Sequence, residues 1–259
     1  MFEFLKYEIQ DGVATITLNR PDRYNAFNDG MSYELQDALK KATRDEEVRV
    51  VVLTGEGKAF CSGQDLKASG GDPDRSFSDS LHKRYNPIIR AIRNMPKPVV
   101  ARLNGVAAGA GCSLVLACDV IVAAEHAQMI EVFINVGLVL DSGSSYFLPR
   151  LVGYHKAFEL ATRASRITAT EAHELGIVNK VVPADGLDEA VAEYAGHYAK
   201  APTKSIGLIK KMLNKGERSS LDDILEYEAY CQEIAGRSDD YKEGVNAFLE
   251  KRKPEFKGK

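Results

Sequence analysis

Two stretches of the chain combine residues that let a backbone approach a ligand. They are Ala59-Phe60-Cys61-Ser62-Gly63-Gln64-Asp65-Leu66 and Asn104-Gly105-Val106-Ala107-Ala108-Gly109-Ala110-Gly111-Cys112. Each mixes glycine with small residues after a run that reads as a strand. The second leads into an apolar segment, Cys112–Ala117, that reads as a helix. Free N–H groups and the helix dipole at such a start favour negative charge. Two turns of this kind could aim two backbone N–H donors at one oxygen. That is an oxyanion hole, where each donor contributes about 3–4 kcal/mol to stabilising a developing enolate. The same small residues would equally serve tight helix–strand packing, and the pattern alone leaves both readings open.

Other chemistries lack their residues. Gly105, Gly109 and Gly111 do not complete a dinucleotide fingerprint, whose third glycine would fall at Leu114. No GxxxxGK[ST] loop, HExxH pair or G-x-S-x-G elbow occurs. His82, His126, His155, His173 and His197 are scattered in polar or helix-surface contexts. Cys61, Cys112, Cys118 and Cys231 form no CxxC pair and read as buried, reduced thiols of a cytoplasmic protein.

The elements that must position the two turns follow from periodicity. Val13–Asn19 is β-branched and ends at a turn signal. Asp29–Arg44 carries Met31, Leu35, Ala38, Leu39 and Ala42 at helical spacing, and Val48–Thr54 reads as a buried strand. Strand, helix, strand predicts an α/β unit with parallel pairing. Residues 68–80 form a polar Gly/Ser/Asp loop, expected to be mobile. Leu81, Tyr85, Ile88, Ile89 and Ile92 predict a helix over Ser80–Asn94. Val99–Leu103 and Val120–Ala124 read as further strands. From about residue 151 helical patterns dominate: Lys156–Arg163, Thr170–Leu175, Leu187–Lys200, Thr203–Asn214, Leu221–Ala235 and Tyr241–Lys251. Only Ile177–Val182 looks extended there.

The 259 residues suffice for one large domain or two small ones. Hydrophobic and charged fractions of 44% and 27% are globular values, which excludes a disordered or collagen-like chain. The net charge of −3 argues against a broad nucleic-acid surface. No run reaches the roughly 20 apolar residues of a membrane span. Glu3, Lys6 and Glu8 sit where a secretory leader would be apolar.

The runs VATITLNRPDRYNAF, VRVVVLTGEGKAFCSGQDL, KPVVARLNGVAAGAGCSLVLACDVIVAAEHA, VGLVLDSGSSYFLPRLVG, ITATEAHELGIVNKVVP and FLEKRKPEFKGK span nearly the whole chain. In order and spacing they resemble the enoyl-CoA hydratase/isomerase (crotonase) superfamily. The resemblance implies an α/β fold, a crotonase-type spiral of ββα units over residues 1–195. A C-terminal helical trimerisation region would follow over 196–259. It also implies an acyl-CoA substrate, with coenzyme A as part of that substrate and no covalently bound cofactor or metal. The expected assembly is a homotrimer or a hexamer made as a dimer of trimers, with no nucleic-acid or membrane partner.

In this family one oxyanion-hole N–H comes from the residue after the glycine of the A-F-x-x-G-x-D run, here Gln64. The other comes from the middle of the G-x-G turn, here Ala110. The two glutamates of the hydratases fall on Ser113 and Phe133, so both are absent. Glu131 lies two positions from the second; in a strand it would share the face but sit about 7 Å away. It is therefore not counted as a substitute.

A branch resembling the phenylacetate-pathway isomerases carries a catalytic aspartate in a G-L-V-P-D-S-G-G run. Here that residue is Asp141, with Leu140 for the proline and Ser144 for the second glycine. Asp141 could instead simply cap a helix over Ser142–Tyr146. As a base it would take a proton from C2 of a 3-enoyl-CoA and return it to C4, or serve in opening a ring epoxide. Phe133, Val136, Leu138, Val139 and Leu140 are expected to give it a buried apolar setting that raises its pKa.

The anionic coenzyme would be met by Arg23, Lys58, Lys67 and the basic tail from Lys251 to Lys259. Ala59, Cys61, Ser62, Asp65 and Leu66 would line its adenine pocket. Phe256 and Lys259 loosely match an aromatic and a lysine that reach a neighbour's adenine. The alternatives are a 2-enoyl-CoA hydratase of fatty-acid β-oxidation and, in another class, a non-catalytic or RNA-binding protein on the same fold. Two intact turns, and no basic helix with interleaved aromatics, weigh against the last.

Overall fold

A computed structural model describes residues 2–69 and 76–259. Residues 70–75 of the expected mobile loop lie outside the described residues. The chain starts with a hairpin of β1 (Leu5–Gln10) and β2 (Val13–Leu18). Asp11 and Gly12, both at positive φ, form its two-residue turn. Helix α1 (Asp29–Arg44) is capped by Asn28, whose side chain accepts from Met31 N. Its expected apolar stripe is buried.

The next strands alternate between two sheets. β3 (Val50–Gly55), β5 (Val99–Leu103) and β7 (Val120–Ala124) join the first sheet. β4 (Ala59–Cys61), β6 (Val106–Ala108) and β8 (Gln128–Ile130) join the second. These three short strands are absent from the sequence-level expectations. After β4 come α2 (Leu66–Ser69), α3 (Phe77–Ser80), a π-helical turn at Leu81–Tyr85, and α4 (Asn86–Asn94). The helix expected over 80–94 is thus interrupted by a wider turn. Helix α5 (Ala110–Leu116) follows β6 and starts two residues earlier than its apolar run suggested. Two strands and a helical return make each unit, which is the expected ββα spiral.

A 3-10 turn at Val132–Val136 replaces the strand expected around Glu131 and Phe133. Then come α6 (Ser144–Val152), α7 (Tyr154–Arg163), β9 (Ile167–Thr168), α8 (Ala169–Glu174) and β10 (Lys180–Val182). The chain closes with α9 (Leu187–Lys200), α10 (Thr203–Gly216), α11 (Leu221–Gly236) and α12 (Asp239–Glu250).

The first sheet has the order β1-β2-β3-β5-β7-β10, parallel except for the hairpin. The second has the order β4-β6-β8-β9, with only β9 antiparallel. Every residue of β3 and β7 is buried, because helices or the second sheet cover both faces of the parallel strands. Leu35, Leu53, Phe60, Ile88, Leu103 and Val115 belong to the larger core cluster. Helix α9 lays Leu187, Ala190, Val191 and Ala195 over Val50, Val52, Val100 and Val122 on the other face. Among the described residues no helix is long and apolar enough to cross a membrane.

Candidate active site

The two glycine turns meet at the ends of β4 and β6. Phe27 and Gln64 form an isolated parallel bridge. Phe27 N donates to the Gly63 carbonyl (2.7 Å) and Asp65 N to the Phe27 carbonyl (2.9 Å). This pattern uses the groups flanking Gln64 and leaves the Gln64 N–H directed away from Phe27. Gly63 holds φ +93°, and a Cβ there would stand 2.8 Å from the Ala108 carbonyl oxygen and 3.6 Å from Ala110 N. The Gln64 turn therefore lies directly on the turn that opens α5. Ala110 is the first residue of that helix, where N–H groups have no intrahelical acceptor. A Cβ on Gly111 would meet the Cys61 carbonyl oxygen at 2.2 Å. The close approach of backbone at Gly63 and Gly111 brings the two turns together.

The surrounding loops are tied down. Arg20 pairs with Asp65 (2.9 Å) in a largely buried ion pair. Ser62 N donates to the Tyr24 carbonyl (3.0 Å) and Ser62 Oγ to the Arg23 carbonyl (3.4 Å), which sets exposed Arg23 beside the turn. Ala59 and Cys61 are buried, Ser62 is partly covered, and Leu66 is exposed. Burial pushes the Cys61 thiol up to about 12, so it is no nucleophile.

Asp141 does not cap α6. The N-cap is Gly143 in a left-handed conformation, with no side-chain cap bond, because the helix begins at Ser144 rather than Ser142. The Asp141 carboxylate is instead left over: Oδ1 is buried without a hydrogen-bond partner. Desolvation pushes its pKa up. Ser142 itself is buried at φ +49°, with its hydroxyl unpartnered. Backbone held in this region costs about 1–3 kcal/mol and is characteristic of functional loops.

The apolar setting differs from the expectation. Phe133 is buried, Leu138 and Leu140 are partly covered, and Val136 and Val139 are exposed. The 3-10 turn, closed by left-handed Gly137, takes Val136 and the following loop outward. Two other groups feel the charge of Asp141. Tyr85, at the end of the π-helical turn, is buried edge-on to Phe27, with ring centroids 5.6 Å apart. Burial and then the charges of Cys61 and Asp141 push its hydroxyl well above the usual range.

Glu131 is the second group, and the sequence reading discounted it. It leaves β8 at the start of the 3-10 turn rather than lying in a strand, and only 1% of it is exposed. Its pKa is pushed up to about 7, chiefly by burial; Ser144 and Cys112 oppose the rise, and the charge of Asp141 adds to it. Ser144 Oγ lies 2.9 Å from Glu131 Oε1, and Ser113 Oγ lies 2.8 Å from Ser144 Oγ. Ser113 Oγ also lies 3.2 Å from both the Asp141 and the Gly109 carbonyl oxygens. Ser113 and Phe133, on which the resemblance places the two hydratase glutamates, are both buried. A lone carboxylate inside Met129-Ile130-Glu131-Val132-Phe133 was the available sequence signal for Glu131. Nothing in the apolar stripe distinguished Tyr85.

The tail residues lie elsewhere in the protomer. Phe256 packs on Gly244 of α12, and the Asp240 carboxylate accepts from Lys257 N (2.6 Å) and Gly258 N (2.8 Å). Gly258 adjoins Arg49, at the start of β3, and Lys259 Nζ is 3.8 Å from Glu46. Among the described residues no group of His, Cys, Asp and Glu could hold a metal ion.

The family profile described as enoyl-CoA hydratase/isomerase matches residues 8–259. The chain is 43% identical to the 1,2-epoxyphenylacetyl-CoA isomerase of Escherichia coli over the full length of both proteins. It is 41% identical to a probable enoyl-CoA hydratase of Rhodobacter capsulatus, covering all of this chain and 99% of that one. The crystal structure of an enoyl-CoA hydratase from Bacillus anthracis superposes with a TM-score of 0.95 at 34% identity, covering 99% of this chain and 100% of the other. With this agreement in sequence and fold over its full length, the chain belongs to the enoyl-CoA hydratase/isomerase (crotonase) family of enzymes.

Proposed function

We propose that this enzyme isomerises an acyl-CoA through an enolate, with Asp141 as the proton carrier. Its substrate would be a 3-enoyl-CoA converted to the 2-enoyl-CoA, or a ring epoxide of an aryl-acetyl-CoA. The observation that carries the reading is the buried, unpartnered Asp141 Oδ1 on a loop bound to α5 through Ser113. Serine and phenylalanine at positions 113 and 133, where the resemblance would put the hydratase glutamates, support it. The Gln64 and Ala110 N–H groups hold the thioester oxygen. Asp141 removes a proton from C2, the electron pair delocalises onto that oxygen, and the proton returns at C4 while C2=C3 forms. Raised basicity suits a carboxylate that must accept a proton from carbon. Hydration is the harder task for one carboxylate, since water must be both oriented and deprotonated.

Arg23, Ser62, Asp65 and Leu66, with buried Ala59 and Cys61 behind them, form the coenzyme wall. Exposed Phe248 and Leu249 on α12 support a trimer or hexamer built through the C-terminal helices, which would let Phe256 and Lys259 reach a neighbouring site. Purified enzyme should convert 3-hexenoyl-CoA faster than it hydrates crotonyl-CoA; the opposite order would favour a hydratase.

A further inference from the structure

The Gln64 N–H is the last member of a row of aligned dipoles. In a trans peptide the C=O and the N–H lie in one plane and point in opposite directions. The Gln64 N–H shares its peptide with the Gly63 carbonyl, which accepts from Phe27 N (2.7 Å). Phe27 N shares its peptide with the Ala26 carbonyl, which accepts from Arg20 Nη1. The row therefore runs from the Arg20 guanidinium through two peptides to the Gln64 N–H. Each link polarises the next, and a cation at the far end makes the last N–H a stronger donor. The other arm of the planar fork, Nη2, meets Asp65 Oδ2 at 2.9 Å. Side-chain exposures of 15% and 10% place this pair where water screens charge only weakly.

The loop that carries Arg20 is fixed to match. Arg20 N donates to Asn25 Oδ1 (2.9 Å), and Asn25 N donates to the Arg20 carbonyl (2.9 Å). Buried Asn25 donates through Nδ2 to the Glu56 and Ala59 carbonyls (2.9 and 2.8 Å). Tyr24 and Asn25 hold φ +48° and +56°, two consecutive left-handed residues without a glycine. Such strain collects where a structure over-determines a functional geometry. The second donor has a different backing. The Gly109 carbonyl of the Ala110 peptide accepts from Ser113 N (3.0 Å), so α5 stands behind that N–H with its own dipole. Gly63 lies outside any helix, and Arg20 takes the place of the helix dipole.

We propose that Arg20 is a positioning residue for the reaction, whose charge, carried through the Ala26–Phe27 and Gly63–Gln64 peptides, aims and strengthens the Gln64 donor. This inference rests on the oxyanion reading above. Asp65 orients the guanidinium and offsets part of its charge, and the aligned bonds carry the rest.

The test compares the wild type, Arg20→Met and the double variant Arg20→Met/Asp65→Asn. It reads kcat and KM for 3-hexenoyl-CoA and thermal midpoints. It also reads the infrared stretch of an isotope-labelled thioester carbonyl in bound hexanoyl-CoA, which has no double bond to move. In the wild type the stretch should fall below its value in water. Arg20→Met should lower kcat about tenfold, a fraction of the roughly 10²–10³-fold that a whole donor supplies, with KM within about threefold. Its carbonyl stretch should move back up. Arg20→Met also leaves the largely buried Asp65 carboxylate without the guanidinium, which by itself costs stability. The double variant removes that carboxylate, should regain part of the thermal midpoint, and carries the test if Arg20→Met does not fold. Its kcat and its carbonyl stretch should stay impaired. Full recovery of kcat in the double variant, or an unmoved stretch in either variant, would reduce Arg20 to a partner for Asp65 and overturn the proposal. A wild-type stretch no lower than in water would instead sink the oxyanion reading itself.

Discussion

Asp119 and Asp141 are both partly withdrawn from water, yet their surroundings are opposite. Asp119 Oδ2 accepts from Lys210 Nζ (2.6 Å) and from Val99 N (2.8 Å), and Arg93 lies 3.7 Å from Oδ1. Lys210 is itself buried and donates to the Ile92 carbonyl (2.7 Å), so this cluster fastens α10 to the sheet. Among the described residues Asp141 has no such cation, and it keeps an unpartnered oxygen beside a second buried acid. The first cluster is built for stability. The second carries a desolvation cost that no ion pair offsets, the setting expected of the proposed proton carrier.

The same substitution at the two aspartates should therefore act in opposite directions. Asp119→Asn leaves Lys210 as a buried, uncompensated charge and should destabilise the protein by about 3–5 kcal/mol in denaturant unfolding. Asp141→Asn relieves a desolvated carboxylate and should stabilise it by about 0.5–2 kcal/mol at pH 8. Equal losses at both sites would erase the contrast between the clusters.

Next in size is the pH dependence contributed by Glu131. Its folded pKa of about 7 exceeds the ordinary 4.5, so the folded state holds the proton more tightly than the unfolded one. Its contribution is full below the unfolded value and lost as pH rises through about 7, amounting to about 3 kcal/mol. Glu131→Gln should remove that slope from unfolding curves measured between pH 4 and 8. A variant that keeps the slope would show that another acid produces it. The smallest effect is expected at Ser142. Ser142→Gly relieves the left-handed strain and removes an unpartnered hydroxyl, against the greater unfolded-state freedom of glycine. A net gain of about 0.5–1 kcal/mol should appear in the thermal midpoint.

How much of this was legible in the sequence depended on the range of the forces involved. Helix α1 and the strand of β3 follow from local periodicity, and both turned out as read. The second sheet was not visible, because strands of three residues such as β4, β6 and β8 are specified by their neighbours rather than by their own pattern. The two glycine turns were found, though not that packing of Gly111 against Cys61 is what joins them. Asp141 was singled out by resemblance, while its supposed cap role failed when left-handed Gly143 moved the helix start two residues on. Glu131 was discounted because a strand was assumed where the chain forms a 3-10 turn. No local signal marks a reversal that Gly137 and the packing of Phe133 impose together.

The central claim is that one carboxylate carries the proton. Its most direct test is the steady-state rate of Asp141→Asn with 3-hexenoyl-CoA. The account predicts a fall in kcat of about 10²–10⁴-fold, with KM near that of the wild type and the fold intact. Undiminished turnover in Asp141→Asn, or fast hydration of crotonyl-CoA that survives the substitution, would contradict it.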